Sequence, residues 1–570
     1  MHDLVIRGGR VVDGSGGPAR AADVAVEGDR IAAVGRDVGR GRREVDAADL
    51  LVTPGWVDVH THYDAQVTWD PALSPSGWHG VTTVVMGNCG VGFAPVDPAR
   101  HDWLIGLMEG VEDIPGAALH EGIQWGWESF PEYLDALASR RTAVDFGTQL
   151  PHGALRAYVM GDRGAANEAA TRADVARMAE LAAEAVRAGA LGFSTSRTLL
   201  HRTTEGVLMP GTFAATDELF GIGRALAAAG GAVFQMAVEH GKVLEELEWI
   251  VPLARETGQP VVFNLSQSDG APDVWREAVT ALDEAAAAGL PVYAQVAGRA
   301  IGIVMSWRTT ANPFALHPTF QGLAPLPWEE RLARLRDPAV RAAILAEPPV
   351  HVGDFEAFVT QTFGKMYPLG EDVDYEPPPE QSVAALAARQ GRTPAEVAYD
   401  LLLERDGTGF LYFPLFNYSN QDLALLEELH RHPQTRMGLA DGGAHCGAIC
   451  DGGMPTFMLA FWTRDRRRGP TLPLEHVVMR QTSQTAALYG LRDRGLLRPG
   501  YRADLNLIDY DRLRAPVPEV RYDLPAGSGR LVQRAEGYRM TVCAGRVVRE
   551  NGEATGELPG GLICGPQRLG

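Results

Sequence analysis

Eight apolar runs, each short enough to be one strand, recur through the middle of this 570-residue chain. They are "VDVHTH" (57–62), "TTVVMGNCG" (82–90), "AVDFGTQLPHG" (143–153), "ALGFSTS" (190–196), "GAVFQMAVEHG" (231–241), "PVVFNLSQSDG" (260–270), "PVYAQVAG" (291–298) and "TRMGLADGGAH" (435–445). Ala-rich stretches with helical character lie between many of them. One is "TRADVARMAELAAEAVRAGA" (171–190), which opens on Thr171 as its expected N-cap. A strand buried on both faces reads as a nearly continuous apolar run, and strand–helix alternation builds parallel βα units. Eight such units predict an α/β fold, a (β/α)8 TIM-like barrel. A ninth run, "GFLYFPLFNYS" (409–419), exceeds the count. Either it is an extra strand in an insertion, or one of the eight is misassigned. The Pro-rich, charge-rich span 308–408 is the expected insertion, placed to cover the barrel mouth.

The two chain ends differ from the middle. "DLVIRGGRVVDG", "ADVAVEGDRIAAVG", "ADLNLIDYDRL" and "YRMTVCAGRVVRENGE" cluster β-branched residues around Gly-containing turns. Both ends are therefore expected to form one small β-sandwich. The predicted division is 1–53 for its first part, 54–496 for the barrel with its insertion, and 497–570 for its second part and the tail.

Hydrophobic residues make up 45% of the chain and charged residues 22%, the balance of a folded protein with a sizeable core. The net charge of −20 argues against nucleic acid or an anionic membrane as partner, since both reward clustered cations. "RDRRRG" (464–469) reads as a solvated loop. No secretory leader and no membrane span is expected. The five cysteines are few, odd in number and scattered, which fits a reducing cytoplasm rather than a disulfide framework. The expected partner is a small-molecule amide, and a homo-oligomer is compatible with the composition.

The chemistry begins at His60 and His62. Residues two apart on a strand share a face, so two imidazoles at a strand end form half of a metal site. The surrounding "LLVTPGWVDVHTHYD" (50–64) resembles the opening of the metal-dependent amidohydrolase superfamily. "RGLLRPGYRADLNLIDYD" (494–511) is similar to the segment where those chains leave the barrel. "GNCG" (87–90), "LPHGALR" (150–156) and "GALGFSTS" (189–196) resemble the N-acyl-D-amino-acid deacylase (D-aminoacylase) branch. The resemblance spans nearly the whole chain. It implies that His60, His62, Cys89 and Asp441 surround one or two zinc ions, and that Asp441 both touches the metal and moves the proton.

The chain also departs from that branch. Gln235 stands where the fifth-strand histidine is expected, Asn264 and Leu265 where Ser-His is expected, and Gln267 where a substrate-gripping lysine is expected. "YAQVAGRA" replaces a Tyr-Pro-Tyr. Neither glutamine nor leucine replaces imidazole as a zinc ligand of comparable strength. The expectation is one zinc on His60, His62 and Asp441, with Cys89 and His240 as candidate additional ligands. A buried cysteine can equally be a small hydrophobe, and Asp441 a turn residue before two glycines. Arg299 is the candidate cation for a substrate carboxylate; an exposed arginine paired to the acidic surface is its plain alternative. His152, Asp64, Gln235, Asn264 and His445 complete the candidate substrate contacts.

The function these residues imply is hydrolysis of an amide, an N-acyl amino acid; the residues leave its chirality open, and the resemblance points to the D form. Opening of a cyclic amide or imide uses the same parts. A homologue that binds but no longer catalyses is the reading from another class, because two histidines are missing.

Overall fold

The computed structural model describes residues 1–350 and 352–569. All eight apolar runs contribute strands, and the eight pair side by side in sequence order. They are Trp56–Asp58, Val81–Met86, Asp145–Pro151, Gly192–Ser196, Val233–Ala237, Val261–Asn264, Val292–Val296 and Thr435–Met437. Every pairing is parallel, as at Val84↔Phe146, Gln235↔Ser194, Phe263↔Ala294 and Ala294↔Thr435. The strands are buried almost throughout, which is why they show no polar alternation. The eighth strand returns to the first through a parallel bridge between Thr61 and Gly442. Around that bridge His62 N donates to the Gly442 carbonyl at 2.8 Å and Asp441 N to the His60 carbonyl at 3.1 Å. Barrel closure therefore puts Asp441 beside the two histidines.

The outer helix Arg172–Ala188 starts as its sequence predicts. Thr171 Oγ1 accepts from Asp174 N, and the Asp174 carboxylate accepts in return from Thr171 N.

A nine-stranded sheet combines both chain ends around its own apolar core of Leu4, Ile6, Val24, Leu505, Leu507 and Val542. Its centre is the pairing of Leu51–Pro54 with Leu505–Ile508. Buried ion pairs tie it to the base of the barrel: Arg494 and Arg502 both reach Asp145, at the start of the third barrel strand, at 2.7 Å. The last residues then run back along the barrel, where Ile563 N donates to the Phe146 carbonyl at 2.7 Å.

The ninth run is an extra strand. Phe410–Pro414 pairs antiparallel with Gly302–Met305 and with Tyr367–Leu369. This small sheet has a separate core that includes Trp307, Phe314, Tyr399 and Leu402. The excursion therefore includes strands on either side of the predicted 308–408. Among the described residues no helix is long and apolar enough to cross a membrane, and all five cysteines are free thiols.

Candidate active site

The first barrel strand ends at Asp58, and His60 and His62 follow it, both buried. His60 Nδ1 donates to Gln295 Oε1, from the seventh strand, at 2.7 Å. That leaves His60 Nε2 with its lone pair directed inward, 3.2 Å from Asp441 Oδ1 and 3.3 Å from Cys89 Sγ. His62 Nε2 lies 3.6 Å from the same Asp441 oxygen. The donor atoms of His60, His62 and Cys89 lie within 4.8 Å of one another. Ligands placed tetrahedrally about 2.0–2.3 Å from a zinc ion lie about 3.3–3.7 Å apart, so these spacings suit one ion.

Two backbone features aim the other donors. Cys89 follows the second strand with φ of 56° and Asp441 follows the eighth with φ of 47°, a left-handed conformation uncommon for either residue. Cys89 N donates to Gln235 Oε1 at 2.9 Å. The glutamine that replaces the expected histidine thus fixes the thiol's backbone.

Electrostatics fit a cation. Burial lowers the pKa of His60 to about 4 despite Asp441, so the ring is a neutral donor at pH 7. Burial acts the same way on His62, but Glu112, Asp441 and Cys89 outweigh it and hold the ring protonated. Asp441 is kept well below the usual carboxylate range, its burial overcome by His60 and His62. Burial pushes the Cys89 thiol up to about 12. A proton on His62 here supplies the positive charge that a metal ion would bring.

The other predicted contacts divide. His445 reaches the site: its side chain is 25% exposed and its Nε2 is 3.5 Å from Glu112 Oε2. Asp64 lies behind it, buried and accepting from Gly87 N at 3.1 Å. Asn264 is structural, since its Oδ1 accepts from Val238 N at 2.6 Å. His240 lies outside the histidine–cysteine cluster and packs on Phe416, ring centroids 4.3 Å apart. His152 is not at the mouth. Its two ring nitrogens are held by Thr195 Oγ1 and Glu218 Oε1, both at 2.8 Å, and Glu218 also pairs with Arg156.

Arg299 needs a larger correction. It is fully buried, 2.8 Å from Asp451 Oδ1 and stacked 3.7 Å over Tyr375. Burial works against its charge and the Asp451 carboxylate overcomes this. Its cation is already matched, so it does not serve a substrate carboxylate. Arg299→Ala should leave the Asp451 carboxyl, whose pKa burial already pushes up to about 7, buried without its partner, and cost up to about 3–5 kcal/mol in a urea unfolding titration. An unchanged unfolding midpoint together with a raised KM for acidic substrates would restore the substrate role.

Three site residues escape the sequence reading. Gln295 orients His60. His201, on the loop after the fourth strand, is fixed by Ser196 Oγ at 2.9 Å, and burial with the charges of His445 and His62 pushes its pKa down to about 3. Glu112 ends the helix His101–Glu112, fully buried, with its Oε1 3.3 Å from His62 Nδ1. Its signal is its register: Leu104, Ile105, Met108, Val111 and Glu112 form one buried stripe, so a carboxylate occupies an apolar face.

The amidohydrolase family pattern matches residues 43–549, most of the chain. The chain belongs to the amidohydrolase family. It is thus a hydrolase of amide-type carbon–nitrogen bonds. A D-aminoacylase of Alcaligenes xylosoxydans xylosoxydans is 30% identical over 523 residues, covering 89% of this chain and 88% of that one. An N-acyl-D-aspartate deacylase of the same organism is 28% identical over 567 residues, covering 99% and 95%. A solved D-aminoacylase structure, described for one-metal activation and second-metal attenuation of a binuclear centre, superposes with a TM-score of 0.64. It is 25% identical and covers 99% of this amidohydrolase and 100% of its own chain.

Proposed function

We propose that this amidohydrolase deacylates N-acyl-D-amino acids with a single zinc ion held by His60, His62, Asp441 and Cys89. The observation that carries the proposal is the convergence of two imidazole nitrogens on one carboxylate oxygen, with a thiol in the same cluster. Imidazole, thiolate and carboxylate are zinc's usual donors. When bound, zinc polarises an amide carbonyl and lowers the pKa of water. The two D-specific relatives support the substrate class, and the one-metal activation described for a D-aminoacylase supports a single ion.

The chain's own residues do the rest. Gln295 keeps the His60 lone pair inward. Asp441 is ionised at pH 7 and its side chain is 13% exposed, so a substrate-side water can reach it. It accepts the proton of the attacking water and passes it to the leaving nitrogen. His445, a quarter exposed, faces the incoming amide. Gln235 and Leu265 leave a second ion without imidazoles from the fifth and sixth strands.

The test is metal analysis of the purified protein with turnover of N-acyl-D- and N-acyl-L-amino acids. One zinc per chain and preference for the D series are expected. Turnover confined to cyclic imides, or none with zinc loaded, overturns the reading. A cobalt-substituted protein should show a thiolate-to-cobalt charge-transfer band in the near ultraviolet. Cys89→Ala should abolish that band, and a band that survives removes Cys89 from the ligand set.

A further inference from the structure

We propose that Glu112 is the positioning residue of the metal site, a buried carboxylate bridge that fixes His62 for ligation and holds His445 at the mouth. The proposal rests on the zinc reading above. Glu112 is 1% exposed, and among the described residues its carboxylate makes ion pairs only to imidazoles. Oε1 is 3.3 Å from His62 Nδ1 and Oε2 is 3.5 Å from His445 Nε2. Neither Glu112 Oε1 nor His62 Nδ1 has a hydrogen-bond partner, so their 3.3 Å approach is an ion pair. Two orphaned buried polar atoms face each other.

A buried carboxylate needs donors, so these two rings are what it depends on. The dependence runs both ways. With zinc bound, Glu112 against Nδ1 would hold the one remaining His62 proton on that side and leave the Nε2 lone pair for the metal, toward Asp441 and Cys89. An anionic partner also makes the ring a stronger donor to metal. His60 receives the same service from the neutral Gln295 amide, so the two histidines are supported unequally.

The carboxylate is not free to swing. The Glu112 carbonyl accepts from His445 N. Asp113, the next residue, has φ of 50° and accepts from Gly447 N and Thr310 Oγ1, both at 3.1 Å. The helix end is clamped to the loop after the eighth strand and to the insertion. A helix between the second and third barrel strands thereby links a first-strand ligand to an eighth-strand loop.

The experiment is a zinc-affinity measurement by competition with a chromophoric chelator, on wild type, Glu112→Gln, Glu112→Ala and His445→Ala. Support is an affinity loss of about tenfold in Glu112→Gln and up to about 100-fold in Glu112→Ala, with His445→Ala within about twofold of wild type. The cobalt visible spectrum should shift in Glu112→Gln while the thiolate band persists, a change that a packing role alone would not produce. Should Glu112→Ala fail to fold, the isosteric Glu112→Gln decides alone. Affinity and cobalt spectrum equal to wild type in Glu112→Gln overturn the proposal and leave the zinc reading standing. A wild type that binds no zinc overturns both.

Discussion

Asp441→Asn lowers kcat for an N-acyl-D-amino acid by about 10²–10⁴-fold, the usual contribution of a positioned base, while the protein still folds. The reason lies in what each side chain can hold. Asp441 Oδ1 sits 3.2 and 3.6 Å from the Nε2 atoms of His60 and His62, and the pair keeps the carboxyl ionised. An amide oxygen in the same place can still touch a cation, but it cannot take a proton from water at neutral pH. The variant should therefore retain metal, bound more weakly, and lose turnover. Single-turnover kinetics on zinc-saturated protein separate these effects. Saturated Asp441→Asn turning over at the wild-type rate would exclude Asp441 as the base. If turnover returns in full with excess zinc, Asp441 is a ligand alone.

The barrel was legible because physics gives its strands little freedom. A parallel strand covered on both faces is mostly apolar or small, without a solvent-facing polar alternation, so each run announces itself and the count follows. His60 and His62 were legible for a similar reason, since their spacing places them on one face whatever surrounds them. Asp441 could be read from the end of its run, and barrel closure then brought it beside them. Partners chosen by tertiary contact left no such trace. Arg299 looked like a free cation because Asp451 is 152 positions away, and His152 looked available because Thr195 and Glu218 are 43 and 66 away. Glu112 was readable only from its register on an amphipathic helix, where the ordinary expectation for a glutamate is a solvated face. Gln235 carries a subtler lesson. A residue that cannot be a strong ligand still serves the site, by holding the backbone of Cys89.

The largest effect on metal content is expected from the double change His60→Ala with His62→Ala, which should bring zinc below about 0.1 per chain after dialysis. Two nitrogens are lost, and the remaining thiol and carboxylate come from different strands with nothing between them. Metal loss alone would not prove ligation, because the same change disturbs the fold. Glu112 loses one of its two imidazole partners and Asp441 loses both of its own. Breaking buried pairs in this way costs about 3–5 kcal/mol, visible in urea even without metal. The control is His152→Ala. It strips a buried imidazole from Glu218, whose other partner is Arg156, in a cluster that shares no donor with the metal site. It should lower stability comparably and keep its zinc. Zinc retained by the double variant would place the ion elsewhere, and zinc lost equally from His152→Ala would mean that metal content follows general stability. Two full-occupancy ions in wild type would show that the fifth and sixth strands supply donors after all. The expected pattern, loss in one variant and retention in the other at matched stability, leaves ligation by His60 and His62 as the explanation.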